Sequence, residues 1–371
     1  MKLLKQNYLP ITIVLFFAFI ALQTNAQNLV TPRPVSPAAD AKQQIGLTEI
    51  VVNYSRPKVN LRGNNRTGKI WGQQVPWGFE QISFATGKGI PWRAGANENT
   101  TIKFSDDVKI QGEDLAAGTY GLHMAIYEDG KVILIFSSNH TSWGSYYYDE
   151  AEDVLRAETQ MKDHAKTEVL SYEFIDYGKD YTLLALKWEN KIISFKIEID
   201  EVKLVLESYR NQLRSTPGFG WQAYITAANF SLQNNTNYEE ALSWIDIAIS
   251  RNKTFGAIQV KARLLAASGK DEEAKKMIDE AIEGATNAEL NAYGYQLMGQ
   301  GENKEAIKIF ELNVKRNPKD ANVHDSLGEA YKTNGENEKA IESFKKALSL
   351  DPPPNVKANS TRLLKELGIV M

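Results

Sequence analysis

The chain has 371 residues, 24% of them charged, with a formal net charge of −3 and no cysteine. The missing thiol excludes disulfides, thiolate catalysis, cysteine-ligated zinc and lipid attachment to cysteine, so the fold is held by burial alone. Acidic and basic residues nearly balance, and no run of Lys and Arg occurs, which excludes the electrostatic footprint of a nucleic-acid binder.

The first 26 residues read as a secretory signal peptide. Lys2 and Lys5 precede an almost wholly apolar run over residues 9–22, and Thr24 and Ala26 fit the −3 and −1 positions of a cleavage site before Gln27. The run is shorter than the roughly 20 residues a spanning helix needs, and no basic cluster follows it. Export to the bacterial envelope is therefore expected, to the periplasm or beyond the cell, with no transmembrane anchor once the signal is removed. Cleavage leaves 345 residues with a formal charge of −5, long enough for two domains.

Residues 34–200 carry a β pattern. Residues 48–54 are rich in β-branched side chains, and residues 100–104 alternate. Residues 120–127 and 131–136 flank Asp129-Gly130, a pair suited to a hairpin turn with positive φ. Residues 154–161 fit a strand or a short helix equally well. Residues 168–177 end at Gly178, and a second hairpin is expected at Glu189-Asn190, between residues 181–188 and 191–199. Eight to ten short strands with close turns, and no helix long enough for a parallel crossover, predict an antiparallel β-sandwich-like domain, with an open barrel as the alternative closure.

Six strings in this half are distinctive. They are Gly46-Leu-Thr, Tyr54-Ser-Arg-Pro57, Val75-Pro-Trp-Gly78, Trp92-Arg-Ala-Gly-Ala-Asn-Glu98, Ala117-Gly-Thr-Tyr-Gly121 and Trp143-Gly144. Together they resemble the family catalogued as Domain of Unknown Function 2911. The resemblance covers residues 34–200 and implies an exported bacterial β domain, sometimes followed by helical repeats, with no settled activity. This chain departs from the pattern by extra residues at 79–90, ahead of Trp92.

Within these strings, Arg56, Trp92, Arg93, Asn97 and Glu98 are the candidate ligand-binding residues. Arg93 offers a planar fork of donors suited to a carboxylate or phosphate. Glu98 can act as an acid or base, and Asn97 both donates and accepts. Trp71, Trp77, Trp92 and Trp143 can stack on a sugar or a peptide. The competing reading is structural: a turn with positive φ at Gly95 and Asn97, an Arg93–Glu98 pair tying loops together, and Trp side chains filling the core. No catalytic residue, cofactor or metal site is indicated. His123, His140, His164 and His324 show no ligand spacing, and no nucleophile elbow or phosphate loop occurs.

Residues 201–220 read as a linking helix with a break at Thr216-Pro-Gly-Phe-Gly220. From residue 221 to 371 the chain repeats. Ala241, Ala274, Ala306 and Ala340 recur at steps of 33, 32 and 34 residues. The third unit carries Leu290, Gly294, Leu297, Ala306, Phe310 and Pro318. The fourth carries Leu327, Gly328, Tyr331, Ala340, Phe344 and Pro352. This pattern resembles tetratricopeptide repeats, helix pairs stacked into an all-α solenoid. Residues 355–367 are amphipathic and are expected to cap the stack.

In such repeats the first helix of each pair lines a concave groove. By register the groove positions include Thr226, Phe230, Gln259, Arg263, Asn291, Tyr295, Asp325, Glu329 and Lys332. Only Arg263 and Lys332 are basic, opposed by Asp325 and Glu329, so the clamp that holds a peptide's terminal carboxylate with several Lys and Arg is not expected. A mixed or mildly basic segment fits better. The sequence thus points to an exported, non-enzymatic adaptor or scaffold binding a protein or peptide partner. The alternatives are a small-molecule or carbohydrate-binding protein, or a hydrolase, with its site around Trp92 to Glu98, and repeats that only extend the fold or mediate self-association.

Overall fold

The computed structural model describes residues 35–82 and 89–369. The expected signal peptide and part of the extra 79–90 segment lie outside the described residues. The chain divides into two compact units between Glu201 and Val202.

Nine strands build the main sheet of the first unit: β1 (Ala38–Ile45), β2 (Thr48–Ser55), β3 (Thr101–Phe104), β4 (Val108–Ile110), β5 (Glu113–Leu115), β6 (Gly118–Ile126), β7 (Lys131–Ser137), β8 (Asp153–Tyr177) and β9 (Tyr181–Glu198). They form one antiparallel sheet in the order β1-β2-β3-β6-β7-β8-β9-β4-β5. The Asp129-Gly130 turn joins β6 to β7 with Ile126 opposite Val132, and Gly130 takes φ 90°. Leu122, Met124 and Ile126 of β6 share the inner face with Leu134 and Phe136 of β7, all fully buried. The outer face of this hairpin is buried as well. Ala125 and Ile135 lie beneath Phe79, Ile82, Ile90 and Tyr148, so part of the extra segment serves as a lid on the sheet.

The sheet curls because β8 and β9 are long and irregular. β8 runs for 25 residues and pairs with β7 through residues 153–160 and with β9 through residues 161–177. Register shifts occur between Asp163 and Thr167, Thr167 and Ser171, and Phe174 and Asp176. Such bulges bend and twist a strand. The chain beyond β2 then meets β8: Val59 N–H donates to Glu168 O at 2.8 Å, and Leu170 N–H to Pro57 O at 3.0 Å. Side chains of the two halves touch across the interior, with Phe136–Phe195 at 6.3 Å and Tyr54–Tyr172 at 4.8 Å between ring centroids. The result is a sandwich-like antiparallel domain.

Two readings of the sequence change here. Residues 154–161 are strand and continue into residues 168–177. The hairpin expected at Glu189-Asn190 is absent: both residues lie inside β9. Glu189 has φ 54°, pairs with Thr167 and is buried, with its carboxylate accepting from Gly68 N–H. A positive φ serves a turn or a bulge equally well, and the partner strand selected the bulge.

The second unit contains α1 (Glu201–Gln212), α2 (Trp221–Gln233), α3 (Tyr238–Arg251), α4 (Phe255–Ala267), α5 (Asp271–Gly284), α6 (Asn287–Gly299), α7 (Asn303–Arg316), α8 (Ala321–Thr333), α9 (Asn337–Leu348) and α10 (Pro354–Glu366). α2 to α9 form four pairs with the periodic Ala241, Ala274, Ala306 and Ala340 buried. Glycine is needed where the helices of a pair cross: a Cβ on Gly294 would lie 2.5 Å from the Phe310 ring, and one on Gly328 would lie 2.6 Å from Phe344. α10 buries Val356, Ser360, Leu363 and Leu364 and closes the apolar end of the stack.

The solenoid core is divided. One cluster runs from Leu206 to Leu264, another from Leu290 to Leu364, and a small one of Ala262, Leu265 and Ala274 lies between. Between them α5 fully buries Ala274 alone, whereas α3 buries Ala241, Trp244, Ile245 and Ala248, and α7 buries five residues. Repeat arrays open where a neighbour interface is weakest. In native-state hydrogen exchange, α5 amides should exchange about tenfold faster than those of α3 and α7, since a deficit of about 1.4 kcal/mol in local stability is tenfold in the open population. Equal protection in the three helices would contradict the divided core.

Candidate functional site

The groove positions fall into two rows along successive first helices. Thr226, Gln259, Asn291 and Asp325 share one repeat position, and Phe230, Arg263, Tyr295 and Glu329 share the next. Direct bonds join the third and fourth repeats along the second row. The Tyr295 hydroxyl is 3.1 Å from Ser326 Oγ and 3.1 Å from Glu329 Oε2, so α6 and α8 present one continuous face. Burial, and then the carboxylates Glu329 and Asp325, push the Tyr295 phenol up, so it stays a neutral donor.

The C-terminal end of this face is taken up by the chain's own last helix. Asp325 accepts from Asn359 Nδ2 at 2.8 Å and from the Ser360 hydroxyl, and Asn359 also donates to Glu329. Lys332 Nζ lies 2.6 Å from Glu366 Oε2. Of the two groove cations, Lys332 is thus paired and Arg263 is exposed.

The middle of the face differs. Gln259 Nε2 and Asn291 Oδ1, at equivalent positions of the second and third repeats, are buried atoms with no hydrogen-bond partner among the described residues. A buried amide atom without a partner is costly, and in a native protein it calls for a water, ion or ligand. Beside Gln259 a cleft of about 610 Å³ opens between these repeats. Gln259 and Arg263 stand at its margin, and Ala262, Ile278, Ile282, Leu297 and Ile309 are among its lining residues.

In the first unit the structure gives each polar candidate around Trp92 a place, and three of them face backbone. Arg56 Nε donates to Leu170 O at 3.0 Å. Arg93 Nη1 donates to Asn97 O at 2.7 Å, and its guanidinium lies 4.8 Å over the Tyr146 ring. Asn97 Nδ2 donates to Ser36 O at 3.2 Å. Trp92 is buried, bonded through its indole N–H to Gly95 O at 3.1 Å, and Glu98 is half-buried. The left-handed backbone expected at Gly95 and Asn97 occurs at Asn97 (φ 63°) and at Ala94 (φ 50°), not at Gly95. Gly95 is required for a different reason: a Cβ there would lie 2.6 Å from Thr100 Oγ1. Trp71 and Trp92 meet edge to face at 85°, so they form no flat platform for a sugar.

Several of the distinctive strings nevertheless converge on one spot, which spacing along the chain did not reveal. The Arg93 guanidinium packs directly on Gly144, leaving no room for a side chain there. Beneath them His123 is 2% exposed, with Nδ1 2.9 Å from Ser145 Oγ and its ring edge on Tyr148. Burial first, and then the Arg93 charge, push His123 down to about 4, so the imidazole is neutral. Asn99 donates to Ser142 Oγ at 3.0 Å and to Asn139 O at 3.3 Å. Among the described residues no group of three or more His, Asp or Glu is placed to hold a metal.

Comparison with known proteins bears on both units. Residues 36–197 match the family described as Protein of unknown function (DUF2911), and residues 321–354 match a tetratricopeptide repeat. No curated protein matches the chain. Among solved structures, MamA 41-end from Desulfovibrio magneticus RS-1 is similar at 22% identity, over 39% of this chain and 84% of that one, with a TM-score of 0.26. YrrB, titled a TPR protein with an unusual peptide-binding site, is 20% identical over 39% of this chain and 76% of its own, TM-score 0.25. The pilF protein of Pseudomonas aeruginosa is 22% identical over 40% of this chain and 70% of its own, TM-score 0.26. Scores this low say nothing of what this chain binds. From the family matches, the chain carries a DUF2911 domain over residues 36–197, followed by a tetratricopeptide repeat at 321–354.

Proposed function

We infer that the protein is an exported, non-enzymatic adaptor that holds an extended segment of a partner protein along the repeat face. The observation that carries this reading is the cleft of about 610 Å³ between the second and third repeats, which the groove residues Gln259 and Arg263 help to line. Asn291 shares the repeat position of Gln259. The fourth repeat supports the same reading from within the chain. There the equivalent Asp325 is satisfied by an amide and a hydroxyl of α10. With Lys332 paired to Glu366 and Arg263 the remaining groove cation, a free terminal carboxylate has no clamp, and an internal segment of mixed charge fits. Export rests on the basic start, the apolar run and the small residues before Gln27. No helix among the described residues is long and apolar enough to cross a membrane.

Pull-downs from cell-envelope extract test the reading. The variant Gln259→Ala with Arg263→Ala and Asn291→Ala should recover the partner at least tenfold less well than the native chain, with helicity unchanged by circular dichroism. Full recovery by the triple variant would sink the groove as the site. Peptides from the recovered partner should bind equally with free and amidated C-termini, and loss on amidation would restore the carboxylate clamp.

A further inference from the structure

The loop of residues 138–149 between β7 and β8 is held from below at almost every position. Ser138 Oγ donates to Glu152 O at 3.0 Å, and Asn139 Nδ2 to Glu152 Oε2 at 3.1 Å. Ser142 is tied to Asn99, Gly144 lies under the Arg93 guanidinium, and Ser145 is tied to His123. Tyr146 stacks with Arg93, and the Tyr148 hydroxyl donates to Asp153 Oδ2 at 2.6 Å and accepts from Arg156 Nη2 at 2.8 Å. Gly144 takes φ 58° to make the turn. Against this frame two large aromatic side chains are turned outward. Trp143 is 53% exposed and Tyr147 is 61% exposed, four residues apart in the same turn.

Single exposed apolar residues are ordinary. Two exposed aromatic side chains on a loop whose other residues make so many internal bonds are not. Trp and Tyr offer a large amphipathic contact area with few torsions to immobilise, and the frame has already restricted the backbone. The surroundings select the occupant. A protein hot spot lies in an apolar, desolvated patch ringed by further contacts. Here the residues before Trp143 are Ser138, Asn139, His140, Thr141 and Ser142, small or polar and rich in donors and acceptors, and Asp149 and Glu150 follow Tyr147. A pyranose ring has the complementary chemistry: a face of C–H bonds that packs on an aromatic ring, and a rim of hydroxyls for amides and hydroxyls. No cationic cluster invites an acidic polymer.

We propose that this loop is a binding surface for a neutral glycan chain, with Trp143 and Tyr147 as its stacking platforms. The loop rests on Arg93 of the Trp92 to Glu98 turn, whose Trp ring is buried, and presents Trp143 and Tyr147 outward. It does not depend on the adaptor reading.

Native affinity electrophoresis of the full-length mature chain tests it, in gels containing soluble starch, xylan, mixed-linkage β-glucan or dextran. At least one glycan should retard the native chain. Trp143→Ala with Tyr147→Ala should raise the apparent Kd at least tenfold, while Phe219→Ala, another exposed aromatic at 87%, leaves it unchanged. The double variant removes only exposed atoms, and its Tm should stay within experimental error of the native value. Absence of retardation by all four glycans would overturn the proposal, as would retardation that survives the double substitution. Capture of a protein that depends on Trp143, with no glycan retarding the chain, would likewise overturn it and assign the loop to a protein partner.

Discussion

Acidification from pH 7 to pH 4 should cost the β unit about 3 kcal/mol of stability through His123 alone. This imidazole lies on the outer face of β6, opposite Ile135 on β7, with Ser145 on its Nδ1 and the Tyr148 ring against it. Burial, and then the Arg93 charge, lower it from 6.5 to about 4 in the folded chain. Between those two values the unfolded chain binds a proton that the folded chain refuses. Stability is therefore fully present above pH 6.5, falls as the pH drops through this window, and levels off below about 4. The step from 6.5 to about 4, at about 1.36 kcal/mol per tenfold change in proton affinity, sets the size. Asp153 works against the trend. Burial holds its carboxyl above the usual range, so the folded chain gains a proton there first as the pH falls. The comparison must therefore be between the native chain and His123→Gln. Urea titrations at pH 7.0, 5.5 and 4.5 should show the difference in unfolding free energy between the two narrowing by about 2.4 kcal/mol. An unchanged difference across the three pH values would show that His123 titrates normally.

Phe310→Ala should have the largest effect on the repeats, a loss of about 3–5 kcal/mol. The ring is fully buried, sits over Gly294, and takes the edge of Tyr295 at a centroid distance of 5.2 Å. Truncation removes the ring from a core that also contains Leu290, Leu297, Ala306 and Leu327, and leaves a cavity that rigid helices refill poorly. The opposite error is also costly. Gly294→Ala places a methyl 2.5 Å from the ring and should cost about 1–3 kcal/mol. The second repeat carries a smaller pair at these positions, Ala262 and Ile278. The double variant Gly294→Ala with Phe310→Ile imitates it and should be more stable than the sum of its single changes allows. Thermal unfolding of the four chains would measure this. A loss below 1 kcal/mol for Phe310→Ala, or strict additivity in the double variant, would show that the two helices do not meet through this contact.

The helical unit was the more legible half because its signals are local. A helix pair repeats within one period, and the residues that let its helices cross, Gly294 with Phe310 and Gly328 with Phe344, lie sixteen positions apart in each unit. The β unit was legible in its local features only. Asp129-Gly130 produced the expected hairpin because that dipeptide relieves positive φ without help from elsewhere. Glu189-Asn190 carried a similar signal and stayed inside β9, since Glu189 pairs with Thr167 and the extra residues lie on β8.

The same division separates the candidate sites. From the residue pattern alone came the repeat period, the rows of groove positions and the scarcity of groove cations, all consequences of side-chain type at a fixed spacing. The tertiary structure decided which of those positions are spent. Asp325, Glu329 and Lys332 are bonded to α10, which follows them by some thirty residues, while Gln259 and Asn291 keep an unmatched amide atom. It also decided that Arg56, Arg93 and Asn97 serve backbone carbonyls, and that Arg93, His123 and Ser145 meet under one loop. The physical reason is that periodicity and turn chemistry are properties of neighbouring residues. Burial, hydrogen-bond partners and the depressed His123 depend on what the sheet and the helix stack bring in from far along the chain.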